Sequence, residues 1–291
     1  MRLRLLLALV AAAFSPPVVA AELVQLSQYE WAHDDPNFGG FSGLTIGENG
    51  SSLTAISDRG YYAKAEITRS SGLIEDIVIT ELTQLPLVKD RSPEEFLIDA
   101  EGLTITPDGS IYVSYEGHHR VWKFDPNFQN PEWTHQWDFF WRFQSNSGME
   151  ALASDAEGTI YAIPERSGKW ERPFPVQRYK DGRWDETLSI PRSERFLVVG
   201  ADFGPDGKFY LIERDFDVIS AFKTRIRRFN LTDSGFDEGE TLLETRFSAL
   251  GNAEGISLWT DANDQIIVTI ISDDNFNEFQ KTWVTEYILK E

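Results

Sequence analysis

Three stretches of the chain are copies of one unit: EGLTITPDGSIYVSYEG at 101–117, EALASDAEGTIYAIPER at 150–166 and VGADFGPDGKFYLIER at 199–214. Each has a short apolar run, a turn with Asp or Glu before Gly, and a second β-rich run reaching an acidic residue. Asp108, Glu157 and Asp206 fall in the same slot, each 49 positions after the last. Looser copies flank these, SGLTIGENGSSLTAISDRG at 42–60 and EGISLWTDANDQIIVTIISDDN at 254–275. Asp-Gly or Asn-Gly between alternating apolar runs predicts a hairpin whose two central residues both take φ > 0.

Further strand-like runs follow each hairpin: Tyr62–Thr68 and Ile74–Leu82, Val121–Phe124 and Trp133–Phe139, Val176–Tyr179 and Trp184–Ile190, Arg225–Asn230 and Leu242–Phe247. Four strands in a repeat of about 40–50 residues make the blade of an all-β propeller. The last repeat has only three strands, ending with Lys281–Leu289, while Leu23–Trp31 is a spare strand before the first. Joining them completes the last blade and leaves few sheet edges open. Five antiparallel blades are expected, or six if the insert Leu85–Leu97 hides strands. There is no helical periodicity and no linker, so residues 22–291 read as one domain.

Composition agrees. With 41% apolar and 13% aromatic residues the chain can bury a large core, which excludes disorder. Arg2 and Arg4, the apolar run Leu5–Phe14 and the small residues to Ala21 read as a secretory leader, 1–21, cleaved after Ala20 or Ala21. The apolar run is too short to span a bilayer. A chain with no cysteine excludes disulfides and thiol chemistry, and an exported one of this kind suits a periplasm. The net charge of −20 repels nucleic acid and anionic membranes. No nucleic-acid partner and no membrane span are expected, and the chain is expected to act as a monomer.

The first strand of each blade lines the central channel, and the Asp-Gly turn puts both free ends of the hairpin at one rim. Glu101 with Glu116, Glu150 with Glu165, Ser42 with Asp58 and Glu254 with Asp273 should therefore converge. In the fourth repeat Val199 replaces the first acid, Asp202 follows it and Glu213 keeps the second. Crowded carboxylates must take up protons or a cation. An all-oxygen site with four histidines in the chain and no cysteine favours Ca²⁺ over zinc. Ser42, Glu101, Glu150, Glu254 and Asp273 are the candidate ligands. Arg59, Arg166, Arg214 and His118 are candidates to hold an anionic substrate, and Glu116, Glu165 or Glu213 to act as general base. Against this, repeated acids can be structural devices of repeated blades, and each arginine can simply pair with its neighbouring acid. No Gly-x-Ser-x-Gly elbow, phosphate-binding loop, dinucleotide fingerprint or EF-hand is present.

Phe41-Ser42-Gly43-Leu44, Ser57-Asp58-Arg59-Gly60, Asp99-Ala100-Glu101-Gly102-Leu103, Ser114-Tyr115-Glu116-Gly117, Gly148-Met149-Glu150-Ala151-Leu152 and Pro164-Glu165-Arg166 resemble the phytase-like family, also described by its esterase-like activity. That resemblance implies exported bacterial propellers and hydrolysis of a phosphoester or ester. The layout is also similar to calcium-activated nucleotidases (apyrases), which hold Ca²⁺ in a central tunnel. The expectation is an exported Ca²⁺-dependent hydrolase. Two other readings stand beside it: a non-enzymatic binding propeller with structural Ca²⁺, and a hydrolase of the sugar-lactonase type.

Overall fold

The computed structural model describes residues 21–87, 98–116, 118–134, 148–217 and 221–291. The expected leader, most of the insert at 85–97 and part of the run at 133–139 lie outside them. Strand β1 (Glu22–Glu30) comes first. Blade one holds β2 (Phe41–Ile46), β3 (Ser52–Ser57), β4 (Tyr61–Ser70) and β5 (Leu73–Gln84), and blade two holds β6 (Ala100–Ile105), β7 (Ile111–Tyr115), β8 (Arg120–Phe124) and β9 (Glu132–Trp133). Blade three follows with β10 (Met149–Ser154), β11 (Ile160–Pro164), β12 (Phe174–Lys180) and β13 (Arg183–Ile190). Blade four comprises β14 (Leu197–Phe203), β15 (Phe209–Asp217), β16 (Ala221–Phe229) and β19 (Glu240–Glu244), interrupted by a small hairpin of β17 (Leu231–Thr232) and β18 (Gly235–Phe236). Blade five is β20 (Asn252–Thr260), β21 (Ile266–Asp273), β22 (Trp283–Lys290) and, on its outer edge, β1.

All five sheets are four-stranded and antiparallel, and the expected closure by the N-terminal strand is present. Pairing runs from Glu22 opposite Lys290 to Glu30 opposite Trp283. The first strands of the blades touch in sequence around the axis, with β20 meeting β2 to close a ring of five. Among the described residues no helix is long and apolar enough to cross a membrane.

The turns differ from expectation in one respect. At Thr106–Gly109, Asp155–Gly158 and Gly204–Gly207 only the glycine has positive φ, at 83°, 80° and 72°. Each closes with the glycine N–H donating to the carbonyl three residues earlier, at 2.8–3.0 Å. This is a type I turn followed by a left-handed glycine. Asp108 supports it by accepting from Thr106 Oγ1 and Ser110 N. Two-residue turns with both residues at positive φ do occur, at Ser71-Gly72 and Asp181-Gly182.

The core lies between blades, as five apolar clusters, one per blade junction. Trp31, Phe41, Trp259 and Ile271 fill the junction of blades five and one, and Arg69 of β4 makes a two-pronged ion pair there with buried Glu286 of β22 at 2.7 and 2.8 Å. Toward the axis the junctions become too narrow for any side chain. An added Cβ at Gly43 or Gly255 would stand 2.9 Å from Leu103 N or Leu44 Cβ, and one at Gly200 2.4 Å from Glu254 O. These glycines are present because neighbouring backbones touch there.

Gly200→Ala should therefore destabilise the protein by about 2 kcal/mol or more, since the obstacle is backbone that cannot rotate away. Thermal or urea unfolding of the variant tests this, and unchanged stability would show that the blades can part at no cost.

Candidate functional site

Side chains reach the axis through a repeated irregularity. In every blade the pairing of first and second strand slips at the head of the first: between Phe41 and Gly43, Ala100 and Leu103, Met149 and Ala151, Val198 and Gly200, and Ala253 and Gly255. A β-bulge re-aims the side chain it frees. The freed positions include Ser42, Glu101, Glu150 and Glu254, which make the lower tier of a cup, while Val199 of blade four belongs to the core between blades four and five. The register opposes Ser57, Tyr115, Pro164, Glu213 and Ser272 to the heads of these strands. The next residues, Asp58, Glu116, Glu165, Arg214 and Asp273, form the upper tier. Asp99 and Asn252, just ahead of two bulges, complete the set.

Asp99, Glu101 and Glu116 each offer a carboxylate oxygen, and the three oxygens all lie within 4.8 Å of one another. Across the cup Arg214 donates through Nη1 to Glu254 Oε1 and Asn252 Oδ1, both at 2.5 Å, and its Nη2 stands 3.7 Å from Glu165 Oε1. Asn252 Nδ2 donates to Glu254 Oε1 at 2.9 Å and to Asp273 Oδ2 at 3.2 Å. Asp58 Oδ1 is buried and has no hydrogen-bond partner among the described residues.

Burial and the repulsion of neighbouring carboxylates raise the proton affinity of Asp58, Asp99, Glu101, Glu116, Glu150 and Asp273. Burial pushes Asp58 up to about 6, with Asp99 and Glu254 adding to it. Glu116 rises to about 7 through burial and the charge of Asp99, and Asp273 to about 8 through burial and Glu254. Glu101 and Glu150 are held well above the usual carboxylate range, by burial first and then by Glu150 on Glu101 and Glu116 on Glu150. Burial also raises Asp99, although a hydrogen bond with Glu101 and the charge of Arg120 restrain it. Burial opposes the charge of Arg214, but Glu254, Glu150 and Glu165 more than compensate and raise its pKa.

The candidates from the sequence divide accordingly. Glu101, Glu116, Glu150, Glu165, Glu254 and Asp273 gather in the cup, and Ser42 lines the axis with Glu150. Glu101 belongs to the tightest oxygen set together with Glu116, expected as a base, and with Asp99, which was given no role. Glu254 and Asp273 are tied to Asn252 instead. Glu213 is not available as a base. Its oxygens accept from Arg225 Nε and from Arg227 Nε and Nη2 at 2.7–2.9 Å, fully buried between blades. The upper-tier position of blade four belongs to Arg214, 49 residues after Glu165, so the spacing of the turns already marked the shift. A one-residue offset turns a side chain to the other face of the strand.

Arg214 is thus a member of the acidic network and not a free fork. Arg166 is half exposed and donates through Nε to Glu165 at 2.9 Å. Arg59 stacks over Phe276, 3.2 Å from the ring centre. His118 is exposed, and its carbonyl accepts from Arg120 at 2.9 Å. Asp202 is at the other end of the channel, in a cavity of about 960 Å³ bordered by the turns. There it accepts from Leu258 N at 2.8 Å and ties blade four to blade five. Leu44, Leu103, Leu152 and Ile256 narrow the channel between the two ends to about 10 Å³, scarcely room for one water. The expected tunnel is therefore a cup with a hydrocarbon floor.

A family model described as phytase-like, esterase-like activity of phytase, matches residues 36–276. No curated protein matches the chain. Among solved structures, an α-L-arabinofuranosidase from Podospora anserina in complex with cellotriose is similar at 12% identity and a TM-score of 0.51, covering 92% of this chain and 96% of that one. A calcium-binding protein, regucalcin, from Agrobacterium tumefaciens is similar at 8% identity and a TM-score of 0.48, covering 86% and 90%. A gluconolactonase from Xanthomonas campestris matches at 15% and 0.47, covering 86% and 72%. At these identities the likeness is one of fold.

The raised acids give the cation-free protein a definite pH response. In the unfolded chain they titrate near 4, and in the fold Asp58, Glu116 and Asp273 titrate near 6, 7 and 8. Between these limits the fold retains protons that the unfolded chain has released, so the cup's contribution to stability falls as pH rises. In EDTA the melting temperature should drop from pH 5 to pH 8, less steeply in Glu116→Gln. A slope equally steep in that variant would contradict the assignment.

Proposed function

The chain belongs to the phytase-like family, and from that premise we propose that it is an exported, Ca²⁺-dependent hydrolase of a phosphate-bearing or ester substrate. The observation that carries the proposal is the convergence of Asp99, Glu101 and Glu116 oxygens within 4.8 Å. Oxygens on opposite sides of a Ca²⁺ stand about 4.6–5.2 Å apart, so one ion fits among all three. The partnerless Asp58 oxygen and the raised proton affinities indicate the same want of a positive charge. An all-oxygen donor set suits this hard ion.

Asp99, Glu101 and Glu116 would hold the ion, which when bound supplies Lewis-acid polarisation of a phosphoryl or carbonyl oxygen and acidifies water. Glu165, fixed by Arg166 and facing Arg214, is positioned to take a proton from the attacking water. Arg166, half exposed at the rim, is placed to meet an anionic substrate. The hydrocarbon floor keeps bulk water from reaching the acids through the channel. We also infer that residues 1–21 are a cleaved leader, from the basic, apolar and small-residue pattern of that segment.

The test is turnover of phytate, p-nitrophenyl phosphate, p-nitrophenyl acetate and a lactone with Ca²⁺ and with EDTA. Turnover of at least one is expected, abolished by EDTA and reduced at least about 100-fold in Glu101→Gln, in the range of losses for removing one catalytic electrostatic group. Activity that survives EDTA and Asp99→Asn with Glu101→Gln would remove this site. Calcium binding without turnover of any substrate would leave a binding propeller instead.

A further inference from the structure

Two connections at the same mouth carry a charge opposite to the rest of the chain. Residues 167–173 lie in the connection from β11 to β12, and residues 191–196 join β13 to β14. Together they hold Lys169, Arg172, Arg192 and Arg195 against Glu171 and Glu194, in a protein of net charge −20. Trp170 stands 53% exposed among them, with the guanidinium of Arg192 4.5 Å and that of Arg195 5.7 Å from its ring.

Arg192 organises the cluster. Its guanidinium lies 4.8 Å from the ring centre of Phe174, Nη1 donates to Ser167 Oγ at 2.8 Å, and Nη2 to the Phe196 carbonyl at 3.3 Å. Its Nε is buried and has no hydrogen-bond partner among the described residues. None of these four cations forms an ion pair with a described carboxylate, whereas Arg166 next door is paired to Glu165. Solubility does not call for two neighbouring loops in which Glu171 and Glu194 offset only half of the four cations on a strongly acidic protein. Stacking on an aromatic ring holds a guanidinium plane in place, and where its N–H groups are not already engaged, as the Nη groups of Arg192 are with Ser167 and Phe196, its edge is open to an oxyanion.

We propose that this shelf binds a phosphoryl group. A dianion with several acceptor oxygens answers cations on two separate loops and accepts paired arginine hydrogen bonds. Glu165 and Arg166 directly precede the shelf and link it to the cup, so a substrate bearing a second phosphoryl group would be held at two points. That last step rests on the hydrolase reading, whereas the shelf itself does not.

The test is a calorimetric titration of the mature protein with pyrophosphate in EDTA at low salt, where a cation in the cup contributes nothing. Binding is expected, weakening as salt is raised. Lys169→Gln with Arg195→Gln alters exposed side chains and should weaken it at least about tenfold with an unchanged melting temperature. Arg192→Gln should do the same, with any loss of fold read from its melting curve. No binding by the unaltered protein, or equal binding by the folded Lys169→Gln, Arg195→Gln variant, would overturn the proposal. So would a loss of binding in Glu101→Gln as large as in the shelf variants, since that would place the anion in the cup. Failure of turnover with the titration intact would refute the hydrolase reading alone.

Discussion

The close approach of five backbones around one axis is the constraint on which the rest of the molecule depends. Gly43, Gly102, Gly200 and Gly255 stand where the first strand of each blade presses on the next, and their missing Cβ atoms set the ring's diameter. A wider ring would leave the carboxylates of different blades as separate surface charges. At this diameter the charge of Glu254, more than a hundred positions away in the chain, helps to raise the proton affinity of Glu101. The same narrowing packs Leu44, Leu103, Leu152 and Ile256 into a floor that leaves the acids one way out.

Such a cup is costly in electrostatic terms. Its acids are partly relieved from within, by Arg214 bridging Glu254 and Glu165, and by Asn252 between Glu254 and Asp273. That relief is one-sided. On the opposite side Asp99, Glu101 and Glu116 face one another, and the charge of Arg120 acts on Asp99. The division is the physical basis of the function proposed: one half of the cup is neutralised by the protein, and the other is left for a ligand.

Much of this was legible in the sequence, for identifiable reasons. Turn chemistry recurring every 49 residues fixed the blades and their axis, and the incomplete last repeat marked the strand exchange at closure. The convergence of Glu101, Glu150 and Glu254 followed from strand direction alone. What escaped was anything decided by a single residue of register. Glu213 and Arg214 are adjacent in sequence and face opposite ways, and the pairing of Val198 with Glu213 bears out what the 49-residue spacing from Glu165 marks, that Arg214 reaches the cup. Asp99 was overlooked because it precedes its strand, whereas Asp202, read as following the missing acid of the fourth repeat, lies farther along β14 beside the turn and so at the other end of the channel. The hydrocarbon floor was missed because Leu44 and Leu103 look like ordinary core positions until the radius of the ring is known.

The most direct test of the central claim is a crystal structure of the protein grown with Ca²⁺ and read by anomalous scattering. The account requires one strong peak about 2.3–2.6 Å from oxygens of Asp99, Glu101 and Glu116. A map with no peak among those three carboxylates at saturating Ca²⁺, or with their side chains turned apart, would contradict it.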